Sequence, residues 1–314
     1  EKYNAQTYDS LKGIRMPDAI SVYTVDGIDY LITANEGDSR DWNGYSNEIE
    51  VNFGKGKTSP TGKITADNSG LTGKVTFFDT SDYDGLNNEN DYLFGGRSST
   101  IFKADEQSLQ EIYTTGNDFE VKTAAYLPNN FNCSNDDATI DDRSGKKGPE
   151  AEAVTIGQIE DKTFAFIGLE RIGGIMVYDI TNPEKTEFVN YINSRDFSTD
   201  IGGDDSPEGI HFIAGNDSIT GKPQLVVAYE VSGTVGVYDL TLQKNSDQSG
   251  DDKPENPSQE PTVEETNNSS NTNTNNKNHS VNTGDASNIA ITIISLISTI
   301  VLITILMKKD KQVS

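Results

Sequence analysis

Apolar positions in this chain come in short bursts. Residues 30–35 (YLITAN), 74–80 (KVTFFDT), 164–170 (FAFIGLE), 174–180 (GIMVYDI), 224–230 (QLVVAYE) and 234–240 (TVGVYDL) are rich in Val, Ile, Phe and Tyr, and each is bounded by Gly, Asp, Asn or Pro. That pattern predicts strands. Before residue 243 no stretch of twelve or more residues keeps an i, i+3, i+4, i+7 apolar spacing, so long amphipathic helices are not expected. Residues 243–288 contain three apolar side chains, Val263, Val281 and Ala286, among eleven Asn, and cannot bury a core. They predict a solvated linker. Residues 289–307 are nineteen positions without a charge, enough as a helix to cross roughly 30 Å of hydrocarbon. The expected organisation is a folded region over 1–242, a linker over 243–288, a membrane-length helix over 289–307 and a basic cytoplasmic tail over 308–314.

Three segments repeat one unit. MPDAISVYTVDGIDYLITANEGD starts at Met16, EAEAVTIGQIEDKTFAFIGLERIGGIMVYDI at Glu150 and SPEGIHFIAGNDSITGKPQLVVAYEVSGTVGVYDL at Ser206. Each reads acid, small residue, aliphatic, strand, turn, strand, acid. The leading acids Asp18, Glu152 and Glu208 precede the trailing acids Glu36, Glu170 and Glu230 by 18, 18 and 22 residues. The second and third copies close on Gly-x-x-x-Val-Tyr-Asp, and the first reaches a similar Gly73 to Asp79 after a long polar insertion. A weaker fourth unit runs from Tyr92 to Gly116. Recurrent sets of short antiparallel strands predict an all-β chain built as a partial β-propeller of about four blades, with a β-sandwich as the alternative. The chain starts at Glu1 without an export signal, which leads to the expectation of a longer protein with further blades upstream.

Formal charge narrows the function classes. The 314 residues hold 25 Lys and Arg against 50 Asp and Glu, a net charge of −25. The linker carries −5 and the residues beyond it +2, which leaves −22 on residues 1–242. Such a surface repels phosphate backbones and argues against nucleic acid as a partner. Two histidines, His211 and His279, and the lone Cys133 supply too few ligands for a His/Cys zinc site and no internal disulfide. Lys55 to Thr58 lacks the upstream glycine of a phosphate-binding loop, since Val51 occupies that position.

The segments MPDAI…LITANEGDSRDW, FGGRSSTIF, DDRSGKKGPEAEAV, FAFIGLERIGGIMVYDITNP, YINSRDF and SPEGIHFI…LVVAYEVSGTVGVYDL resemble the choice-of-anchor I family of bacterial surface proteins over nearly all of residues 10–242. The resemblance implies a β-propeller displayed outside the cell on one of several kinds of anchor. Some members are joined to metallophosphatase or nucleotidase domains. It implies no catalytic residue in the propeller.

Several constellations bear chemistry. Equivalent blades would place Asp18, Glu152 and Glu208 at one radius and Glu36, Glu170 and Glu230 at another, where clustered carboxylates must be protonated, paired with arginine or neutralised by a hard cation such as calcium. Arg15, Arg40, Arg97 and Arg171 lie beside these motifs as possible partners or as a fork for an anion. The alternative is that each acid caps backbone N–H groups at a blade corner. A second calcium candidate is the loop from Asp79 to Tyr92, with Asp79, Asp82, Asp84 and Asp91 as ligands, although Gly85 sits too early for EF-hand spacing. The charges at Asp136, Asp137, Asp141 to Arg143 and Lys146 to Lys147 read as a solvated loop. His211 reads as packed or channel-facing.

The C-terminus resembles a Gram-positive cell-wall sorting signal. Thr283-Gly284 precedes the apolar run and Lys308, Lys309 and Lys311 follow it. The run would halt export, the lysines would hold the tail inside, and a sortase would act transiently on the Thr283–Gly284 bond. Ser280 and Val281 stand where the usual motif has Leu and Pro, so a permanent membrane anchor is the alternative. The expected function is a surface-anchored extracellular binding or scaffold module, more a non-enzyme than an enzyme. The alternative is a metal-dependent phosphate-ester hydrolase or its accessory domain.

Overall fold

The computed structural model describes residues 3–244, 289–291 and 294–295. Strand outweighs helix, 42% to 8%, as the short runs of Val, Ile, Phe and Tyr predict. In chain order the elements begin with β1 (Leu11–Ile14), β2 (Ala19–Val25), β3 (Ile28–Asn35), β4 (Asp41–Trp42), β5 (Tyr45–Ser46) and β6 (Glu48–Asn52). After α1 (Ala66–Ser69) come β7 (Lys74–Phe78), β8 (Asp91–Phe94), β9 (Ser98–Ala104), β10 (Leu109–Thr114) and α2 (Asp118–Tyr126). The second half holds β11 (Ala151–Ile159), β12 (Lys162–Leu169), β13 (Ile175–Asp179), β14 (Glu187–Ile192), β15 (Pro207–Ile213), β16 (Gln224–Tyr229), β17 (Thr234–Asp239) and β18 (Leu242–Lys244). Two further short strands are β19 (Ile289–Ile291) and β20 (Ile294–Ser295).

Sixteen of these strands form four four-stranded sheets, ordered β1-β8-β7-β6, β10-β9-β3-β2, β11-β12-β13-β14 and β15-β16-β17-β20. The last three are antiparallel throughout, whereas β1 joins β8 in parallel. The last three stack side by side, with β11 lying against β2 on one side and β15 on the other.

The middle sheet of the stack is buried on both faces, and its sequence shows why. Along β12 the side chains of Ala165 and Ile167 enter a core shared with Tyr30, Ile32 and Ile101, while Phe164 and Phe166 enter a core shared with Leu225, Val227 and Tyr229. Successive strand residues point to opposite faces, so an unbroken apolar run is what a doubly covered strand needs. The fit is close. Phe166 stacks on Phe212 with centroids 6.0 Å apart and planes 15° apart, and a Cβ at Gly157 would lie 2.2 Å from the Phe212 ring.

Two repeat assignments are corrected. The third strand of the first unit is β9, in register with β3 from Tyr30↔Lys103 to Asn35↔Ser98, and not the Gly73 to Asp79 segment. That segment supplies β7 of a separate sheet, whose strands β6, β7 and β8 are inserted between β3 and β9 and whose edge strand β1 precedes β2. The weak unit from Tyr92 to Gly116 is likewise not a sheet of its own. Most of β8 lies in it and serves the inserted sheet, whereas β9 and β10 complete the sheet of β2 and β3. Hydrophobic alternation marks a strand's faces and does not name its neighbour.

Of the apolar run 289–307, the described residues are strand where the sequence predicts helix: β20 pairs with Tyr238 and Asp239 of β17, and β19 pairs with β18. β-Branched residues beside an open sheet edge favour such pairing. The rest of the run, the Thr283–Gly284 bond, His279 and nearly all of the linker lie outside the described residues. Among the described residues no helix is long and apolar enough to cross a membrane.

Candidate functional site: an arc of carboxylates

Each repeat delivers its leading acid through the same backbone device. Met16, Glu150 and Ser206, two residues ahead of Asp18, Glu152 and Glu208, adopt positive φ values of 41°, 56° and 65°. Their carbonyls accept hydrogen bonds from the N–H groups of Gly37, Glu170 and Glu230, at 3.1, 2.8 and 2.8 Å. Each bond ties the start of an inner strand to the end of its neighbour, where the trailing acid sits. Non-glycine residues in this region are uncommon and strained, so their recurrence marks three equivalent positions. Glu152 and Glu208 also lie where the β11–β12 and β15–β16 registers slip. Bulges re-aim side chains in this way.

The six repeat acids meet, and they do so as one connected arc where symmetry of the repeats predicts two radii. Oxygens of Asp18, Glu36 and Glu152 lie within 4.8 Å of one another, as do those of Glu36, Glu150 and Glu170, and those of Glu170, Glu208 and Glu230. Glu36 and Glu170 each belong to two of these groups and link them. Asp18 and Glu230 are exposed at the ends, whereas Glu36, Glu150 and Glu170 are buried in the middle.

Glu150 is a seventh member that the sequence reading missed, and the cations that hold it come from the charged segment read there as a solvated loop. Arg143 and Lys147 are each only 8% exposed. Lys147 Nζ lies 2.5 Å from Glu36 Oε1, 2.7 Å from Glu150 Oε2 and 3.0 Å from Asp38 Oδ1. Arg143 pairs with Glu150 Oε1, and Arg171 reaches Glu150 and Glu170 at 3.1 and 3.2 Å. Arg171 also donates to Asn135 Oδ1 at 2.8 Å, and Asn135 Nδ2 donates to Glu170 Oε1 at 3.1 Å. The signal in the sequence was the order of charges, two cations just ahead of the acids that open a repeat.

Seven carboxylates therefore face three cations, and the balance is uneven along the arc. Burial pushes Glu152 up to about 9, helped by the charges of Glu36, Asp18, Glu208 and Glu170. Glu170 is pushed up to about 8, because burial together with Glu150 and Glu36 outweighs Arg171 and Lys147. Burial also raises Glu36 despite Lys147, and burial with Glu230 raises Glu208. Glu150 is buried too, yet Lys147, Arg143 and Arg171 hold it below the usual carboxylate range. At neutral pH the arc retains protons at Glu152 and Glu170 that a cation would displace.

The remaining candidates lie elsewhere. Arg15 pairs with Glu111 at 2.7 Å, and Arg97 with Glu120 at 2.8 Å and with the carbonyls of Ser144 and Lys146. The Arg40 guanidinium sits 6.0 Å from the Tyr83 ring centroid. Of the arginines proposed as partners only Arg171 touches the arc; the others are drawn to nearer acids, carbonyls or rings. Asp79, Asp82, Asp84 and Asp91 are not brought together. Asp91 is buried and accepts from Thr61 N and Oγ1, Asp79 accepts from Ser81 N, and Asp82 accepts from the Tyr45 hydroxyl. His211 is exposed on β15, opposite Val226. A second buried ion pair, Arg195 with Asp205 at 3.2 Å, was not read from the sequence; Arg195 also donates to the Arg171 carbonyl at 2.8 Å.

Two known proteins resemble part of this chain. A mesenchyme-specific cell surface glycoprotein of Strongylocentrotus purpuratus is 27% identical over 220 residues, 58% of this chain and 28% of that protein. Gigasin-3a of Magallana gigas is 30% identical over 166 residues, 47% of this chain and 56% of that protein. The chain thus spans about a quarter and about half of the lengths of these relatives. The choice-of-anchor I domain matches residues 1–183, from the N-terminus through β13, and the match includes five of the seven arc positions, all but Glu208 and Glu230. By that match over more than half of its length, the chain belongs to the choice-of-anchor I family.

Proposed function

We propose that this chain is a surface-displayed binding module that receives a cation, or a cationic group of a larger ligand, on its carboxylate arc. One observation carries the reading: seven carboxylates in linked groups, within 4.8 Å in each group, are matched by only three cations. Full ionisation there is costly, and a hard cation relieves it by taking several oxygens at once. Calcium suits the site because it accepts irregular sets of carboxylate oxygens. The same charge disfavours a phosphate ester, which supports binding over hydrolysis.

The three stacked sheets are, in this reading, an arc of a β-propeller with β2, β11 and β15 as its inner strands. Exposed apolar faces at the two ends of the stack support it. Ile20 and Val22 on β2 are 58% and 62% exposed, and Val235 and Val237 on β17 are 65% and 47% exposed. Further sheets of the same repeat would cover them. Display outside the cell is supported by family membership and by the cell-surface name of one relative. The polar linker and the apolar run 289–307 would tether the module, with sortase acting at Thr283–Gly284.

Thermal melts of the full chain with millimolar calcium, and again after chelation, test the reading together with proton release at pH 7. Calcium at about 100 times its dissociation constant adds about 2.7 kcal/mol. The melting temperature should rise, and protons should leave Glu152 and Glu170 on titration. An unchanged melting temperature without proton release overturns the cation site.

A further inference from the structure

A second surface, separate from the carboxylate arc, carries a different ligand chemistry. The β4–β5 hairpin pairs Trp42 with Tyr45 across a two-residue Asn43-Gly44 turn, in which Gly44 takes φ 89°. Cross-strand partners project from the same face. Their rings stand 5.7 Å apart between centroids with planes 32° apart. Trp42 is the one tryptophan in the chain, and it is 60% exposed where tryptophan is ordinarily well covered.

The platform is held from below. The Tyr45 hydroxyl donates to Asp82 Oδ2 at 3.1 Å, across to the loop that follows β7. At the base of the hairpin Asn47 N–H donates to the Arg40 carbonyl at 3.1 Å, Arg40 N–H donates to Asn47 Oδ1 at 2.9 Å, and Asp79 N–H donates to the Asn47 carbonyl at 2.7 Å. Asn47 itself is 1% exposed. The rings therefore stand on a braced support, which lowers the ordering cost of binding. Around them Asp41, Trp42, Asn43, Gly44, Tyr45 and Ser46 line an open concavity of about 520 Å³.

We propose that this hairpin is a carbohydrate-binding platform that takes the C–H face of a neutral pyranose against Trp42 and Tyr45. An aromatic face is electron-rich and attracts the weakly positive C–H groups on the flat side of a sugar ring. The Asp41 carboxylate, the Asn43 amide and the Ser46 hydroxyl supply acceptors and donors for the hydroxyls at the sugar's rim. Charge selects among glycans: a chain of net charge −25, with an acid at the platform's edge, disfavours sulfated, phosphorylated or uronic sugars. Size selects against a protein partner, because a six-residue hairpin falls far short of the roughly 1,000 Å² that a stable protein interface buries.

A single tryptophan makes the test direct, since all indole emission of the full chain reports this hairpin. Titration with chitotetraose and maltotetraose, followed by fluorescence and calorimetry, should give a saturable change in emission and a matching heat for at least one of them. Trp42→Ala should weaken the calorimetric binding by about tenfold or more, as removal of a central aromatic anchor does. Tyr45→Phe keeps the ring but releases Asp82, and should weaken binding by less than Trp42→Ala. An unchanged far-ultraviolet circular dichroism spectrum establishes that both variants are folded. No response to either sugar into the millimolar range, binding undiminished in Trp42→Ala, or a response to choline in place of the sugars overturns the proposal.

Discussion

Replacing Lys147 by Met separates a buried charge network from a solvated loop. Methionine retains an unbranched apolar stem and removes the ammonium, which touches Glu36, Glu150 and Asp38 within 3.0 Å. Glu150 keeps Arg143 and Arg171, but among the described residues Glu36 keeps no cation within salt-bridge distance. Leaving one member of a buried pair uncompensated costs about 3–5 kcal/mol. Glu36 is 7% exposed and burial already raises its pKa, so it escapes part of that cost by taking up a proton. The lower end, about 3 kcal/mol, is therefore expected at neutral pH, a fall of roughly 6–12 °C in melting temperature at the 2–4 °C per kcal/mol usual for domains of this size. A carboxyl with a raised folded-state pKa stabilises the fold below its unfolded value and loses that contribution as pH rises, so the penalty should grow from pH 5 to pH 8. Scanning calorimetry across that range, with Glu36→Gln alone and combined with Lys147→Met, is the assay. The double variant should recover at least half of the loss, because no ionised group is then stranded. A change below about 0.5 kcal/mol, typical of a surface substitution, would refute the buried network.

Two further predictions concern the arc and the tail. Glu152→Gln should match the wild type near pH 5 and exceed it in melting temperature above pH 8. Its carboxyl is held neutral until about pH 9, so the folded state loses stability as pH climbs toward that value, whereas Gln has no proton to lose; identical pH profiles would contradict the raised pKa. Thr283→Ala should keep the protein in the membrane fraction with its tail uncut, while wild type moves to the peptidoglycan fraction ending at Thr283. Mass spectrometry of the C-terminal peptide decides this, and an uncut wild-type tail in cells with active sortase rejects sorting.

Much of the fold was legible before any coordinates. Runs such as residues 164–170 and 224–230 are too short for helices and too apolar for loops, and they became β12 and β16. The repeated acids were visible because each lies at a fixed place in a local strand-turn-strand unit, and strand length sets the spacing of 18 residues in two of the three copies. Such features are local. They depend on side-chain alternation and turn chemistry within some twenty residues, which the order of amino acids encodes directly.

What only the tertiary structure decided was partnership at a distance. β9 and not β7 completes the sheet of β2 and β3, since an insertion can hand a strand to another sheet without altering its pattern. Lys147 and Glu36 stand 111 positions apart in the chain yet 2.5 Å apart in space. Nothing local distinguishes that lysine from its neighbour Lys146. Whether a charge is solvated or buried, and whether Glu152 keeps its proton while Glu150 gives its proton up, depends on the field of groups brought in by other strands. Electrostatic energy varies with separation and burial, and only the packing of the sheets supplies both.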